Sequence, residues 1–375
     1  MPHSTMSVNQ LINKVNDESF IRPIEHVLRH QFSDFKIEPR LKANITKKGY
    51  ISPTPIQDQT LAPGLEGKDV IGIANTGTGK TAAFLIPIIN KMLLNHSEQA
   101  IILAPTRELA VQIEEEFKDF AKGFGLTSAL CIGGTNLYLQ ERMFKQPVNF
   151  VIGTPGRVID LLKRKVFTLN RFKNIVLDEA DRMVDMGFIK DIRLILSHLP
   201  TDRQSFFFTA TLEAKVEELI RQFMKNPVKV SMQVRQTSGN IEQDIVHVPN
   251  DKKAKENILV QMLKQPEYEK VLIFCRTKHG ADKVANALHH NYIKANAIHG
   301  NKSQNYRLKS LDQFKKGQVQ VLVATDVAAR GLDISDVSHV INFDIPSNYE
   351  DYIHRIGRTG RADKKGKALT FVTKE

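Results

Sequence analysis

Short apolar runs separated by helical periodicity dominate the chain from about residue 70 onward. Val70-Ile71 with Ile73-Ala74, AIILAP (100–105), TSALCIGG (127–134), FVIGT (150–154), NIVLDEA (174–180) and SFFFTAT (205–211) each have the length of a buried strand. Between them apolar residues recur at helical spacing, as in AAFLIPIINKMLL after Thr81. Strands that are apolar on both faces and alternate with helices predict a parallel sheet covered on either side. After the polar stretch RQTSGN (235–240) the alternation resumes with DIVHV (244–248), KVLIFC (270–275), ANAIHG (295–300), VQVLVAT (319–325), HVINFD (339–344) and ALTFVT (368–373). The pattern therefore predicts an α/β chain of two domains, 32–233 and 244–375, joined by a linker at 234–243. Ahead of them, Val8, Leu11, Ile12 and Val15, then Phe20, Ile21, Ile24, Val27 and Leu28, predict short helices or a partly disordered arm over residues 1–31.

Composition narrows the classes. A chain of 375 residues is long enough for two cores, and its apolar fraction of 41% is that of an ordinary soluble protein. No run approaches the roughly 18 apolar residues that a membrane span needs. Asp17, Glu18 and Glu25 argue against a transit peptide, so a cytoplasmic location is expected. Cys131 and Cys275 are far apart in apolar surroundings and read as buried thiols, and the histidines show no metal-ligand spacing. The net charge of +12 favours a polyanionic partner without identifying it.

Candidate chemistry centres on DVIGIANTGTGKT (69–81), an apolar run that turns through Thr76-Gly77-Thr78-Gly79-Lys80-Thr81 into a helix. Glycines let such a loop wrap a phosphate so that amide N–H groups and the helix N-terminus face anionic oxygens. Lys80 would hold the β- and γ-phosphates of ATP, and Thr81 would offer a hydroxyl to Mg²⁺. Ala74 stands where the general phosphate-loop pattern has glycine. Asp178-Glu179-Ala180-Asp181 follows the run NIVL, a place where Asp178 can hold Mg²⁺ and Glu179 can orient and deprotonate a water. Gln57, after Pro-Thr-Pro, has an amide able to pair with adenine N6 and N7, and Phe32 could stack on the same base. Arg355, Arg358 and Arg361 in HRIGRTGR suit contact with phosphate groups.

In order, these stretches resemble the motifs of DEAD-box RNA helicases of superfamily 2. Phe32 with GYISPTPIQ resembles the Q motif, ANTGTGKT motif I, PTRELA (105–110) motif Ia, Gly133-Gly134 the GG motif and TPGR (154–157) motif Ib. DEAD (178–181) resembles motif II, TAT (209–211) motif III and VLIFCRTK (271–278) motif IV, while HGNKSQNYR (299–307), ATDVAARGLD (324–333) and HRIGRTGR (354–361) resemble the motifs of the second domain. The family pattern has alanine at the position of Ala74. Thr209 departs from the family's usual serine, Asp363 from a frequent glycine, and the chain stops almost at its last strand, as a minimal or truncated protein would. FCRTKHGAD and AIHGNKSQ are similar in wording to the bacterial RhlE-like subgroup.

The resemblance implies two tandem RecA-like domains that close around ATP and RNA and separate short duplexes locally. It implies that Arg358 and Arg361 act as arginine fingers, that Asp333 touches the ribose, and that Asp181, Thr209 and Thr211 couple ATP to RNA. RNA would be held by its backbone, without sequence reading, near Thr106, Arg107, Gly134, Thr154 and Arg157 in the first domain. In the second, Arg276, Gly300, Gln304, Arg307 and Thr325 are expected to do the same. The helix after TPGR, with Val158, Ile159, Leu161 and Leu162, resembles the family's wedge. A monomer is expected. An ATP-gated RNA clamp with little unwinding needs the same motifs, and a DNA-translocating motor is disfavoured by the Q motif and by DEAD.

Overall fold

The computed structural model describes residues 28–75, 77–232, 241–329, 334, 337–360 and 365–373. The chain falls into two compact units, divided between residues 234 and 235. In the first, α1 (Pro39–Lys47) and α2 (Pro55–Leu65) lead to β1 (Val70–Ile73), α3 (Lys80–Leu94), β2 (Gln99–Leu103), α4 (Arg107–Phe120), β3 (Ser128–Cys131), α5 (Leu137–Met143) and β4 (Phe150–Gly153). Then come α6 (Pro155–Lys163), β5 (Phe172–Leu177), α7 (Ala180–Asp185), α8 (Ile189–His198), β6 (Gln204–Thr209), α9 (Ala214–Phe223) and β7 (Val228–Ser231). The sheet order is β3-β4-β2-β5-β6-β1-β7, and every pairing is parallel.

Alternate side chains of one strand enter opposite cores. Ala100 and Ile102 of β2 pack with Phe84, Ile88 and Phe117, whereas Ile101 and Leu103 pack with Val158, Met183 and Ile195 on the other face. Burial on both faces is why the strands read as unbroken apolar runs. The exception is β7, which the pattern did not predict. It lies at the sheet edge, only Val230 is buried, and Lys229 and Ser231 face outward, so the segment has no run to recognise.

The second unit runs β8 (Ile241–Val248), α10 (Lys252–Leu263), β9 (Val271–Phe274), α11 (Lys278–His290), β10 (Ala295–Ile298), α12 (Gln304–Lys315), β11 (Val321–Ala324), α13 (Asp326–Ala329), β12 (His339–Asn342), α14 (Tyr349–Ile356) and β13 (Gly366–Thr373). Its order, β10-β11-β9-β12-β13-β8, is all parallel. Position by position, β8 to β13 repeat β1 to β6, so the second sheet has the topology of the first without its seventh strand. The edge strand β8 starts at Ile241, inside the stretch expected as linker, because Glu242, Gln243 and Asp244 pair with β13 despite their polarity. Of the arm expected over residues 1–31, residues 1–27 lie outside the described residues, as do residues 233–240, which include most of the expected linker at 234–243. Among the described residues no helix is long and apolar enough to cross a membrane. Cys131 and Cys275 are buried free thiols.

Parallel strands point the same way, so the polar residues that follow them gather at one edge of each sheet. Both sets of candidate functional residues lie there.

Candidate active site

The loop between β1 and α3 is shaped by its glycines. Gly77 and Gly79 have φ of +83° and +92°, and at Gly79 a Cβ would also collide with Gln57 Nε2 and Thr54 Oγ1. Lys80 Nζ donates to the Ala74 carbonyl at 3.0 Å, so the buried ammonium bridges the two ends of the loop. Ala74 is itself buried, and its N–H donates to the Thr209 carbonyl at 2.9 Å, fixing the loop start to the end of β6. Thr78 Oγ1 donates to the Asn75 carbonyl at 2.9 Å, and Thr81 sits half-buried in the first turn of α3. Thr76 lies outside the described residues.

Gln57 reaches this loop from α2. Thr54 stands at the N-cap of that helix, Gln57 at the third helical position accepts the Thr54 N–H at 2.9 Å, and its Nε2 donates to the Gly79 carbonyl at 3.0 Å. The amide expected to read a base edge is engaged at both ends, and the side chain is 0% exposed. Phe32, expected to stack on the base, is buried with its ring edge-on to Tyr50 at 6.3 Å.

At the end of β5, Asp178 is fully enclosed. Burial pushes its carboxyl up to about 6; the Lys80 ammonium opposes the rise, and Glu179 and Asp181 add to it. Its Oδ1 is buried without a hydrogen-bond partner. Glu179 has φ +54°, a left-handed conformation that costs a non-glycine residue roughly 1–3 kcal/mol and marks functional turns. Its buried carboxylate pairs with Arg182 Nη1 at 2.9 Å. Arg182 was not singled out from sequence, although Glu–x–x–Arg at a helix start is a spacing that brings such pairs together.

Asp181 binds the next segment. Its Oδ2 accepts the N–H of Ala210 at 2.9 Å, the N–H of Thr211 at 2.8 Å and the Thr211 hydroxyl at 3.1 Å, while Oδ1 accepts the Arg182 N–H at 2.9 Å. Thr209 Oγ1 donates to the Thr211 carbonyl at 2.6 Å. DEAD and TAT therefore form one hydrogen-bonded unit.

A stability test follows from Asp178. Because its folded pKa of about 6 lies above the usual 3.8, the contribution of the protonated form is fully present only below pH 3.8 and is lost as pH rises through 6. Asp178→Asn removes that loss, so at pH 7 the nucleotide-free variant should be the more stable by about 1–3 kcal/mol. Thermal unfolding of both proteins should show a gap that shrinks toward pH 4; a variant less stable at pH 7 would contradict the burial argument.

The candidate nucleic-acid residues of the first unit follow β2, β3 and β4. Thr106 caps α4, accepting the Leu109 N–H at 3.3 Å. Arg107 lies against Gly133 and Gly134, and a Cβ at Gly134, where φ is +77°, would collide with its guanidinium. Thr154 occupies the N-cap position of α6 without a side-chain capping bond, and Arg157 in that helix keeps a buried Nη1 without a hydrogen-bond partner. The apolar residues of α6 point inward: Val158, Ile159 and Leu161 belong to the core and Leu162 packs against it. They anchor the helix expected as a wedge and leave its other face outward.

In the second unit Arg276 follows β9, Gly300 follows β10 and Thr325 follows β11. The Arg276 N–H donates to Asp344 Oδ2 at 2.9 Å while its side chain is exposed. Ser303 caps α12, placing Gln304 and Arg307 in its first turns. Arg355 departs from the phosphate-contact reading. It is buried in α14, with Nε and Nη2 on the Asp326 carboxylate at 2.6 and 2.8 Å and Nη1 on Asn342 and the Asp344 carbonyl. It is a strut between α14 and α13. Arg358 lines a small recess with Asp326, Asp351, His354 and Arg355. Arg361, Asp333 and Asp363 lie outside the described residues.

Residues 54–219 match the DEAD/DEAH box helicase family and residues 254–363 the helicase conserved C-terminal domain. The DEAD-box ATP-dependent RNA helicase CshA of Bacillus subtilis is 44% identical over 344 residues, 91% of this chain and 69% of that protein. The ATP-dependent RNA helicase CshA of Listeria monocytogenes is 43% identical over 91% of this chain and 66% of its own length. Among solved structures, S. cerevisiae Dbp5 bound to RNA and ADP BeF3 superposes with a TM-score of 0.80 at 31% identity, covering 92% of this chain and 90% of that one. A DEAD box protein from Methanococcus jannaschii gives 0.53 at 37% identity, covering 92% and 93%. The expected pair of parallel-sheet domains is the fold of these neighbours.

Proposed function

The chain belongs to the DEAD-box ATP-dependent RNA helicases, and on that premise we propose how its residues divide the work. Lys80 and the loop from Thr76 to Gly79 hold the ATP phosphates, Gln57 and Phe32 recognise adenine, and Asp333 touches the ribose. For Gln57 this means exchanging its bonds to Thr54 and Gly79 for adenine N6 and N7, which keeps donor and acceptor satisfied throughout.

Thr81 and Asp178 fit Mg²⁺, held partly through water. The partnerless Asp178 Oδ1 is a buried hard oxygen donor, and the ion usually takes only one or two carboxylates besides phosphate and water. Among the described residues no group of three or more His, Cys, Asp or Glu could hold a metal, which suits an ion carried mainly by the nucleotide. When bound, it neutralises charge on the phosphates.

Glu179 orients the attacking water and takes its proton, with Arg182 fixing one carboxylate oxygen. Arg358 and Arg361 complete the positive charge around the transferred phosphoryl group when the domains close on ATP and RNA. Thr106, Arg107, Gly134, Thr154, Arg157, Arg276, Gly300, Gln304, Arg307 and Thr325 hold the RNA backbone, and α6 bends the strand away from A-form geometry. The products are ADP and phosphate, and the strand is then released. A monomer in the cytoplasm belongs to the same proposal.

The observation that carries this reading is Asp181, because it binds the TAT backbone while Asp178, in the same turn, feels the Lys80 ammonium and Glu179 is held by Arg182. The test is strand separation of a short RNA duplex under multiple turnover. ATP-dependent separation in repeated cycles is expected. Retention of single-stranded RNA with ATP and no separation would instead make the protein a clamp.

A further inference from the structure

Asp58, the residue after Gln57, has no place in the chemistry above. Its carboxylate is buried and accepts the backbone N–H of Arg29 and of His30, each at 3.1 Å, and approaches His30 Nδ1 at 2.8 Å. A carboxylate at a helix start commonly serves only that helix's own dipole. This one turns away to bind a segment 28 residues earlier in the chain. Burying a carboxylate is costly unless several donors compensate, and these come from the two residues just before Gln31-Phe32.

The same segment is fastened again at its far end. Asn90 of α3 accepts the Glu38 N–H at 2.7 Å, and Lys42 Nζ donates to the Ser33 carbonyl at 2.8 Å. Residues 29–38 are thus fixed to α2, which carries Gln57, to α3, which follows the phosphate loop, and through Lys42 to α1. Phe32 is packed in the core of the first unit, edge-on to Tyr50, and the course of the segment that carries it into that core is set by these fastenings.

We propose that Asp58 is a positioning residue for base recognition, a clasp that sets Phe32 against the place where Gln57 reads adenine. The proposal rests on the assignment of Phe32 and Gln57 to the base. Loosening the clasp leaves the phosphate loop, Asp178 and Glu179 untouched, so the loss falls on the choice of nucleotide and not on the chemical step.

The test uses the full chain with saturating single-stranded RNA and compares initial rates on ATP and GTP for wild type, Asp58→Asn, Asp58→Ala, His30→Ala and Gln57→Ala. Asp58→Asn and Asp58→Ala should raise the KM for ATP and compress the ATP:GTP ratio of kcat/KM by about five- to tenfold, the factor set by one hydrogen bond, with kcat for ATP little changed. His30→Ala removes only the side-chain arm and should shift the ratio in the same direction by about twofold; it keeps the test decisive should the Asp58 variants fail to fold. An unchanged ratio in folded Asp58 or His30 variants, with the ratio lost in Gln57→Ala, overturns the clasp and leaves base reading by Gln57 intact. A ratio unchanged in Gln57→Ala as well overturns the base assignment and the clasp with it.

Discussion

Glu179→Gln is expected to retain ATP and RNA together while turnover falls by about 10²–10⁴-fold, the range for loss of a general base. Glutamine keeps the length of the side chain and an oxygen for Arg182 Nη1, so the left-handed turn and the buried contact survive. Its amide cannot take a proton from water. The variant should therefore load normally and stall. Steady-state phosphate release measures the first effect, and fluorescence anisotropy of a labelled RNA with ATP measures the second. Unchanged ATPase activity would remove Glu179 from the chemical step.

Arg358→Ala is expected to lower RNA-stimulated turnover by about 10³-fold or more, the range for an arginine finger. Binding of nucleotide should change far less, because the phosphate loop lies in the other unit. Arg358→Lys should recover little, since an ammonium restores the charge without the planar fork. The neighbouring Arg355 supplies the contrast. Its guanidinium is bound bidentately to Asp326 and again to Asn342 and the Asp344 carbonyl, so Arg355→Ala leaves a largely buried carboxylate uncompensated. Removing one partner of such a pair costs about 3–5 kcal/mol, so Arg355→Ala should lower the unfolding temperature, while Arg358→Ala, at a residue that is also buried, should be set apart by its loss of kcat in the folded variant. Equal loss of stability in both variants, with kcat preserved in folded Arg358→Ala, would make Arg358 a second strut.

The two arginines show where sequence stops being informative. HRIGRTGR offers three alike residues, and nothing in their spacing says that the first is consumed by Asp326, a partner 29 residues away. The same holds for Asp58 with His30 and for Asp181 with the TAT backbone: pairs made by the tertiary fold leave no periodic mark. What was legible came from burial and from strand ends. Runs apolar on both faces gave β1 to β6 and β9 to β13, and their termini gathered Lys80, Asp178, Thr106 and Thr154 at one edge. The half-exposed β7 and the polar start of β8 escaped for the complementary reason, since an edge strand needs no continuous apolar run. In α6 the apolar pattern was visible but its direction was not, because periodicity identifies a face without saying what covers it.

If the ATPase site is complete only when both domains close on RNA, ATP turnover measured with and without single-stranded RNA as salt is raised will report it. RNA is expected to stimulate turnover roughly tenfold or more, at least about 1.4 kcal/mol off the barrier, with the apparent RNA affinity falling as salt screens phosphate contacts. The same turnover with and without RNA at every salt concentration would contradict it.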